Sequence, residues 1–381
     1  MLPNQAHIDT LAARRKAGSD AYYNGVPIMS DHDWDLLDDE LRRLDPNHPD
    51  LKAVGAPAPT SGAFAKVKHT IPMGSLNKAK NLAEMQTWYA GCPNGKTLIA
   101  MDKLDGGSLS VLYVKRKFTQ AVTRGDGDIG QDVTRNAMLI QGMVKMLPPT
   151  LPDGTPMPDN VWVRGEVIIM HADFKQYFPG ESNPRNSANG TLVRQSDNAK
   201  CAHLTLKAYN LCPNGVGMAK KSEELTTLAA WGFQFPKWSL CAGMTELEIV
   251  YQDYVATIRK NIGYEIDGIV TEFDDLDFRE SQGDLGGRPK ASVAYKFPYA
   301  QAETILRAIL DQVGKSGRIT PVAIYDEVIL GGRKNDRCSL AGYRQVEHLR
   351  LFPGCRIIVA MRGDVIPRVE ANLDEGTLND L

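Results

Sequence analysis

Between residues 46 and 59 the chain carries Pro46, Pro49, Pro57 and Pro59, and the spacing of its apolar residues changes across them. Before them, Trp34, Leu37, Leu41 and Leu44 recur at the spacing of one helix face, behind a capping box formed by Ser30 and Asp33. Proline ends such a helix because it lacks an amide donor and its ring clashes with the preceding turn. The first 60 residues therefore read as a small helical module. A piece of roughly that size is marginal alone and is expected to dock on the remainder of the chain.

After the prolines, from about Thr97, strand patterns dominate. Thr97 to Met101 is apolar-rich, and Leu109 to Val114 and Phe118 to Thr123 flank a basic turn, Lys115-Arg116-Lys117, as a hairpin would. Val161 to Val163 and Leu204 to Leu211 add strands, while Ser222 to Trp231 and Thr245 to Lys260 read as helices. This mixture predicts an α+β domain over 61–300 rather than regular alternation of strand and helix. Beyond Phe297-Pro298, Ile319 to Ile329 and Cys355 to Ala360 have strand composition, with turns at Gly331-Gly332 and Pro353-Gly354. About 80 residues of short strands, 301–381, fit a small barrel of the OB-fold kind.

With 381 residues, 43% hydrophobic and 24% charged, the chain is long enough for two or three such domains. It contains no apolar run of membrane-spanning length. Met1-Leu2-Pro3-Asn4-Gln5 has neither the basic nor the apolar block of a secretory signal. The six cysteines are scattered without a C-x-x-C pair, which suits a reducing cytoplasm and argues against structural zinc. A net charge of −2 leaves nucleic-acid binding to local basic clusters, such as Arg14-Arg15-Lys16 and Arg333-Lys334 with Arg337.

The chemistry centres on Lys103-Leu104-Asp105-Gly106, which closes an apolar strand ahead of a glycine turn. The four-residue pattern alone arises by chance in about one chain in ten of this length, so its position matters more than its letters. A lysine projecting from a rigid strand end is a candidate nucleophile. Its ordinary pKa, about 10.4, keeps it protonated and inert. Partial burial and neighbouring cations lower that value and release the free amine. Lys296 in Tyr295-Lys296-Phe297-Pro298 and Arg259 ahead of Glu265-Ile266-Asp267-Gly268 are candidates for such cations, and they would also neutralise a phosphoryl group in transfer.

The order of motifs is more specific. Lys103-Leu104-Asp105-Gly106 is followed by Thr123-Arg124-Gly125-Asp126-Gly127, Val163-Arg164-Gly165-Glu166, Asp267-Gly268-Ile269-Val270 and Ala294-Tyr295-Lys296-Phe297-Pro298. Over about residues 19 to 370 the sequence resembles the covalent nucleotidyltransferases, and among them the NAD-dependent DNA ligases. Asn183-Pro184-Arg185-Asn186 through Arg194-Gln195, Gln312 to Ala323, and Arg362-Gly363-Asp364-Val365-Ile366-Pro367 carry the same resemblance. It implies a multidomain α+β chain: a helical module over 1–60, a nucleotidyltransferase domain over 61–300 and an OB-fold over 301–381.

The resemblance also implies roles. Lys103, with Asp105, would attack the adenylyl phosphorus of NAD and release nicotinamide mononucleotide. Tyr22, Asp31, Trp34 and Asp35 match the motif that binds that mononucleotide, with tryptophan where tyrosine is usual. Glu166 would hold the ribose, Lys296 would contact the α-phosphate, and Ser75, Leu76, Arg124 and Arg259 would border the nucleotide. Asp267 would sit near a catalytic Mg2+. Arg185 and Arg194 match arginines that grip the 5′-phosphate of a nick, and Lys315 would add a DNA contact. The implied enzyme acts as a monomer on nicked double-stranded DNA in the bacterial cytoplasm, in replication or repair. The sequence ends after the OB-fold, where bacterial relatives continue into zinc-finger, helix-hairpin-helix and BRCT domains, so it resembles either the compact ligases of bacteriophages or a truncated longer ligase.

Three positions depart from the family. Glu272 stands where a lysine is usual, and Arg259 or Lys290 is expected to compensate. Met101 replaces a glutamate, with Asp102 beside it, and Asn189 reads as an insertion ahead of Arg194. Two rivals stand beside this reading. An ATP- or GTP-using relative, such as an RNA ligase or capping enzyme, is opposed by the Tyr22 to Asp35 module. A nick-binding protein without catalysis is opposed by Lys103, Glu166 and Lys296.

Overall fold

The computed structural model describes residues 5–24, 28–29, 31–46, 48–52, 64–91, 96–181, 183–285, 287–298, 301–313, 319–330, 333–362 and 366–374. They fall into two compact units, one of residues 1–18, 26–46 and 298–381, the other of residues 19–25 and 47–297.

The second unit contains strands β1 (Lys66–Lys68), β2 (Asn77–Ala79), β3 (Leu98–Leu104), β4 (Gly107–Val114), β5 (Lys117–Thr123), β6 (Ile129–Gln131), β7 (Asn160–Ile168), β8 (Thr205–Cys212), β9 (Trp238–Cys241), β10 (Ile266–Phe273), β11 (Asp284–Leu285), β12 (Arg288–Pro289) and β13 (Ser292–Lys296). Two sheets organise it. One runs β2-β13-β10-β3-β9 and the other β5-β4-β7-β8. Ile99 and Met101 of β3 and Val270 of β10 share a core with Val111 and Val163 of the second sheet. On the opposite face, Leu98, Ala100, Ile269 and Phe273 pack with Met85, Leu247 and Tyr251 from helices Leu82–Ala90 and Met244–Asp253. The period-two alternation of β3 and β10 thus splits their side chains between two cores.

The expected β4–β5 hairpin is present, its turn made by Lys115 and Arg116 at φ 47° and 70°. The helix expected over Thr245 to Lys260 is interrupted. Met244–Asp253 passes into a π-helical turn, Tyr254–Ile258, before a last turn at Arg259–Asn261. Such a turn inserts one residue and rotates the helix beyond it. Here the turn opens on Tyr254, which is buried in the same core as Tyr251.

In the first unit, the helices Gln5–Asn24, up to residue 18, and Asp31–Leu44 bury Ile8, Leu11, Ala12, Leu37 and Leu41. Arg15 and Asp38 form an ion pair of 2.7 Å between the two helices, and Arg42 bonds the other Asp38 oxygen. The same unit holds β14 (Gln301–Val313), β15 (Ile319–Leu330), β16 (Arg333–Ser339), β17 (Arg356–Arg362) and β18 (Ile366–Asn372), in the order β16-β15-β14-β17-β18. The long β14 pairs with both β15 and β17, and β18 returns beside β16. A helix, Tyr343–His348, lies between β16 and β17. This is the five-stranded barrel of an OB-fold, cored by Leu306, Tyr325, Ile357, Val359 and Val369.

Candidate active site

Every residue of β3 is buried except Lys103, which is partly open. The reason lies in the neighbouring strand. Ile266 pairs with Leu104 and Ile269 with Asp102, so Asp267 and Gly268 together oppose Lys103. That is a β-bulge, which re-aims side chains at a strand end. Gly268 also faces Lys296 across the β10–β13 pairing. Its place needs glycine, because an added Cβ would lie 2.4 Å from the Tyr295 carbonyl oxygen.

The bulge gathers Lys103, Asp267 and Lys296. Lys103 Nζ lies 2.9 Å from Asp267 Oδ1, and Lys296 Nζ lies 2.5 Å from Asp267 Oδ2. Burial pushes the Lys103 amine below the usual lysine range, Asp267 opposes that shift and Lys296 reinforces it. Burial alone would raise the Asp267 carboxyl, but Lys103 and Lys296 hold it far below the ordinary range. Arg185 adds a third cation, 2.9 Å from Asp105 Oδ1. It is delivered by helix Pro184–Leu192, whose start is built from the Asn-Pro-Arg-Asn run: Asn183 Oδ1 accepts from the Arg185 and Asn186 amides, and Pro184 takes the first turn.

Across the cleft, Ser108 of β4 donates to Glu166 of β7 at 2.8 Å, the two being direct cross-strand partners. Burial lifts the Glu166 carboxyl to about 7 against the pull of Ser108, Lys103, Arg185 and Arg124. Arg124 Nη2 donates to Ser75 Oγ at 3.0 Å, and Leu76 packs on the adjoining core. The Arg124 turn is fixed from below by the His69 ring nitrogen Nε2, 3.1 and 3.2 Å from the carbonyls of Thr123 and Arg124. Arg164 Nη2 donates to the Ile71 and Pro72 carbonyls. Nε of both Arg124 and Arg164 is buried without a hydrogen-bond partner in the structure. Unsatisfied buried donors are costly, and two in one cleft mark a place for an acceptor-rich ligand.

Of the residues singled out from sequence, Lys103, Asp105, Asp267, Lys296 and Arg185 come together, and Glu166, Arg124 and Ser75 form the adjoining wall. Arg259 lies over the ring of Phe297, 5.4 Å from its centre, next in sequence to Lys296. Arg194 follows the end of helix Pro184–Leu192, near Cys201. Asn189 is accommodated inside that helix, its amide 3.4 Å from the Gly106 carbonyl. Trp34 is engaged within its own module: the Arg15 guanidinium covers its ring at 4.4 Å and its Nε1 donates to the Arg15 carbonyl. The side chains of Tyr22, Asp31 and Asp35, and Lys315 as a whole, lie outside the described residues.

Glu272 shares the cleft face of β10 with Val270. Its cations are Arg279 at 3.1 Å and Lys221 at 3.8 Å, and Ser292 donates at 3.2 Å. Burial would raise this carboxyl, but Arg279, Lys221 and Ser292 hold it below the usual range. The acid that stands in place of the expected lysine is thus held by Arg279 and Lys221. Lys290 is exposed, its carbonyl taken by Trp88. Arg164, Ser108 and Tyr209 were not foreseen as members of the site. Tyr209 sits among Glu166, Arg164, Arg124 and Ser108. Arg164 was readable, since it stands two residues before Glu166 on the same strand face. Ser108 and Tyr209 depend on pairing between distant strands.

Among the described residues, no group of three His, Cys, Asp or Glu side chains could hold a metal. A Mg2+ ion needs fewer, because it commonly takes one or two carboxylates and completes its shell with substrate phosphates and water. Asp267 Oδ1, buried without a hydrogen-bond partner beyond its ion-pair contact with Lys103, fits that role.

Two facing sheets with a lysine at the bulged mouth of their cleft, in a chain that also carries an OB-fold, define the class of covalent nucleotidyltransferases. Residues 61–300 match the NAD-dependent DNA ligase adenylation domain, and residues 303–379 match the OB-fold domain of the same ligases. The chain belongs to the NAD-dependent DNA ligase family. A DNA ligase of Treponema denticola is 35% identical over 366 residues, covering 93% of this chain and 55% of the relative. One of Sorangium cellulosum is 34% identical over 392 residues, covering 96% of this chain and 56% of the relative. The chain spans a little over half the length of these curated relatives. Among solved structures, the ATP-dependent DNA ligase of bacteriophage T7 is 13% identical with a TM-score of 0.36, covering 79% of this chain and 98% of that one.

Proposed function

We propose that this chain seals nicks in duplex DNA with NAD as its nucleotide donor, by way of a Lys103–AMP intermediate. The observation that carries the reading is the Lys103–Asp267–Lys296 contact, a half-buried amine with a lowered pKa that shares one carboxylate with a second cation. In the first step the Lys103 lone pair attacks the adenylyl phosphorus. A P–N bond forms as the P–O bond to nicotinamide mononucleotide breaks; the mononucleotide leaves with the electron pair, and the amine gives its proton to solvent. Lys296 steadies the α-phosphate, Glu166 holds the ribose, and the unsatisfied donors of Arg124 and Arg164 line the nucleotide's berth. AMP then passes to the 5′-phosphate of the nick, and the 3′-hydroxyl displaces it to close the phosphodiester. Mg2+ held by Asp267 would supply further charge neutralisation at phosphorus.

In this reading residues 1–60 bind the mononucleotide half of NAD through Tyr22, Asp31, Trp34 and Asp35, 61–300 transfer the adenylyl group, and 301–381 bind DNA. With Arg15 over one face of Trp34, a nicotinamide ring would take the other. Arg185, Arg194 and Lys315 contact the nick, and Arg259 and Leu76 border the nucleotide. The enzyme works as a monomer in the bacterial cytoplasm; no helix among the described residues is long and apolar enough to cross a membrane.

Mass spectrometry after incubation with NAD or with ATP tests the reading. An AMP adduct on Lys103 with NAD alone is the expected result. An adduct formed from ATP but not NAD would transfer the assignment to an ATP-using relative, and nick binding without any adduct would leave only a binding protein.

A further inference from the structure

Asp102 precedes the nucleophile and, by strand alternation, points away from it into the opposite core. It is 3% exposed, yet fully engaged. Oδ1 accepts the Tyr254 hydroxyl at 2.7 Å. Oδ2 accepts the Tyr264 hydroxyl at 2.6 Å and the Lys237 amide at 2.7 Å. The Asp102 amide in turn donates to the Lys237 carbonyl at 2.9 Å. Lys207 Nζ lies 4.7 Å from the centre of the Tyr264 ring, closing the cluster from the second sheet.

The placement of these bonds matters more than their number. Pairing of β3 with β9 ends at Met101 and Trp238. On its other side, β3 meets the bulge, where regular pairing with β10 lapses between Asp102 and Leu104. Lys103 therefore stands where the ladder fails on both flanks. Asp102 repairs both. Its carboxylate extends the β9 edge by one residue through Lys237, and it ties β3 to Tyr264, three residues ahead of Asp267 on the approach to β10. Tyr254, buried at the start of the π-helical turn, anchors the same carboxylate to the helical layer.

We propose that Asp102 is a positioning residue for the nucleophile: clamped by Tyr254, Tyr264 and the Lys237 amide, it fixes the backbone that aims Lys103 across the bulge. The clamp rests on the proposed Lys103–AMP chemistry. A buried acid that served only the stability of the core would affect every step of the reaction alike. A clamp on Lys103 affects the step in which that amine attacks.

The test uses the full chain with Asp102→Asn and with the double change Tyr254→Phe and Tyr264→Phe. Two rates are compared: single-turnover formation of the Lys103–AMP adduct from NAD, and sealing of a nick supplied already adenylated, which bypasses the attack. The double variant is expected to slow adduct formation by about tenfold or more, with half-saturating NAD and sealing each within about twofold of the parent. Asp102→Asn, which keeps one acceptor oxygen, should fall between. Equal losses in both reactions, a loss expressed as weaker NAD saturation, or a lower melting temperature with unchanged adduct formation would each overturn the clamp. A parent protein that forms no adduct at Lys103 would instead remove the proposed ligase function itself.

Discussion

Lys103 acquires its chemistry from its surroundings, and the sign of each influence can be checked. Burial and Lys296 lower its pKa, while Asp267 raises it. Adduct formation should therefore rise with pH and level off below the usual lysine value of about 10.4. Lys296→Met should move the inflection upward, read from single-turnover rates across pH; an unmoved inflection would detach Lys296 from the amine. Glu166 supplies a second titration. Its folded carboxyl sits at about 7 against an ordinary 4.5, so the folded state retains a proton that the unfolded state has lost. Stability should thus fall as pH rises between those values. Glu166→Gln should melt a few degrees above the parent at about pH 8 and match it near pH 4, by calorimetry. At this scale Lys103, Asp267, Lys296 and Arg185 were legible because each lies in a short charged motif. Asp102 was not, since a buried acid among tyrosines leaves no local pattern.

Individual strands were legible by period, but their partnerships were not. The hairpin of β4 and β5 is local and was read directly, whereas β10 and β13 flank β3 only through long-range pairing. The bulge arises from that pairing, and so does the meaning of Gly268, which in sequence is one more glycine after an aspartate. Gly268→Ala should cost about 1–3 kcal/mol, because the new methyl meets the Tyr295 carbonyl, a backbone atom with little room to yield. Denaturant unfolding measures the cost. Adduct formation should fall with it, since Lys296 follows Tyr295 directly; a variant with parental stability and rate would remove the bulge from the mechanism. Helix Pro184–Leu192 shows the opposite case, where an Asn-Pro start announced itself and its cap presents Arg185 to Asp105.

For the molecule as a whole, the change of period at the prolines separated helical module from strand-rich chain, and the barrel was readable from its short strands and turns. The grouping of residues 1–18 and 26–46 with 298–381 was not, because it depends on contacts between the two ends of the chain. One such contact is the ion pair between Asp33 of helix Asp31–Leu44 and Arg368 of β18. A net charge of −2 leaves nick affinity to local cations facing phosphates. Binding of a nicked duplex should be weak and should fall on the order of a hundredfold or more between about 50 and 200 mM salt. Titration at the two concentrations decides it, and an affinity indifferent to salt would contradict the proposed mode.

Glu272 also limits the paths along which this sequence can drift. Restoring the family's lysine there would set a third cation beside Lys221 and Arg279 and remove the carboxylate that now pairs with both. Removing Arg279 first would strip Glu272 of its nearer cation. Either order passes through a variant with unbalanced charge around a buried position. Descendants of this chain are therefore expected to keep the acid and the arginine together or to exchange them as a pair, an epistatic lock that a survey of near relatives would reveal as covariation.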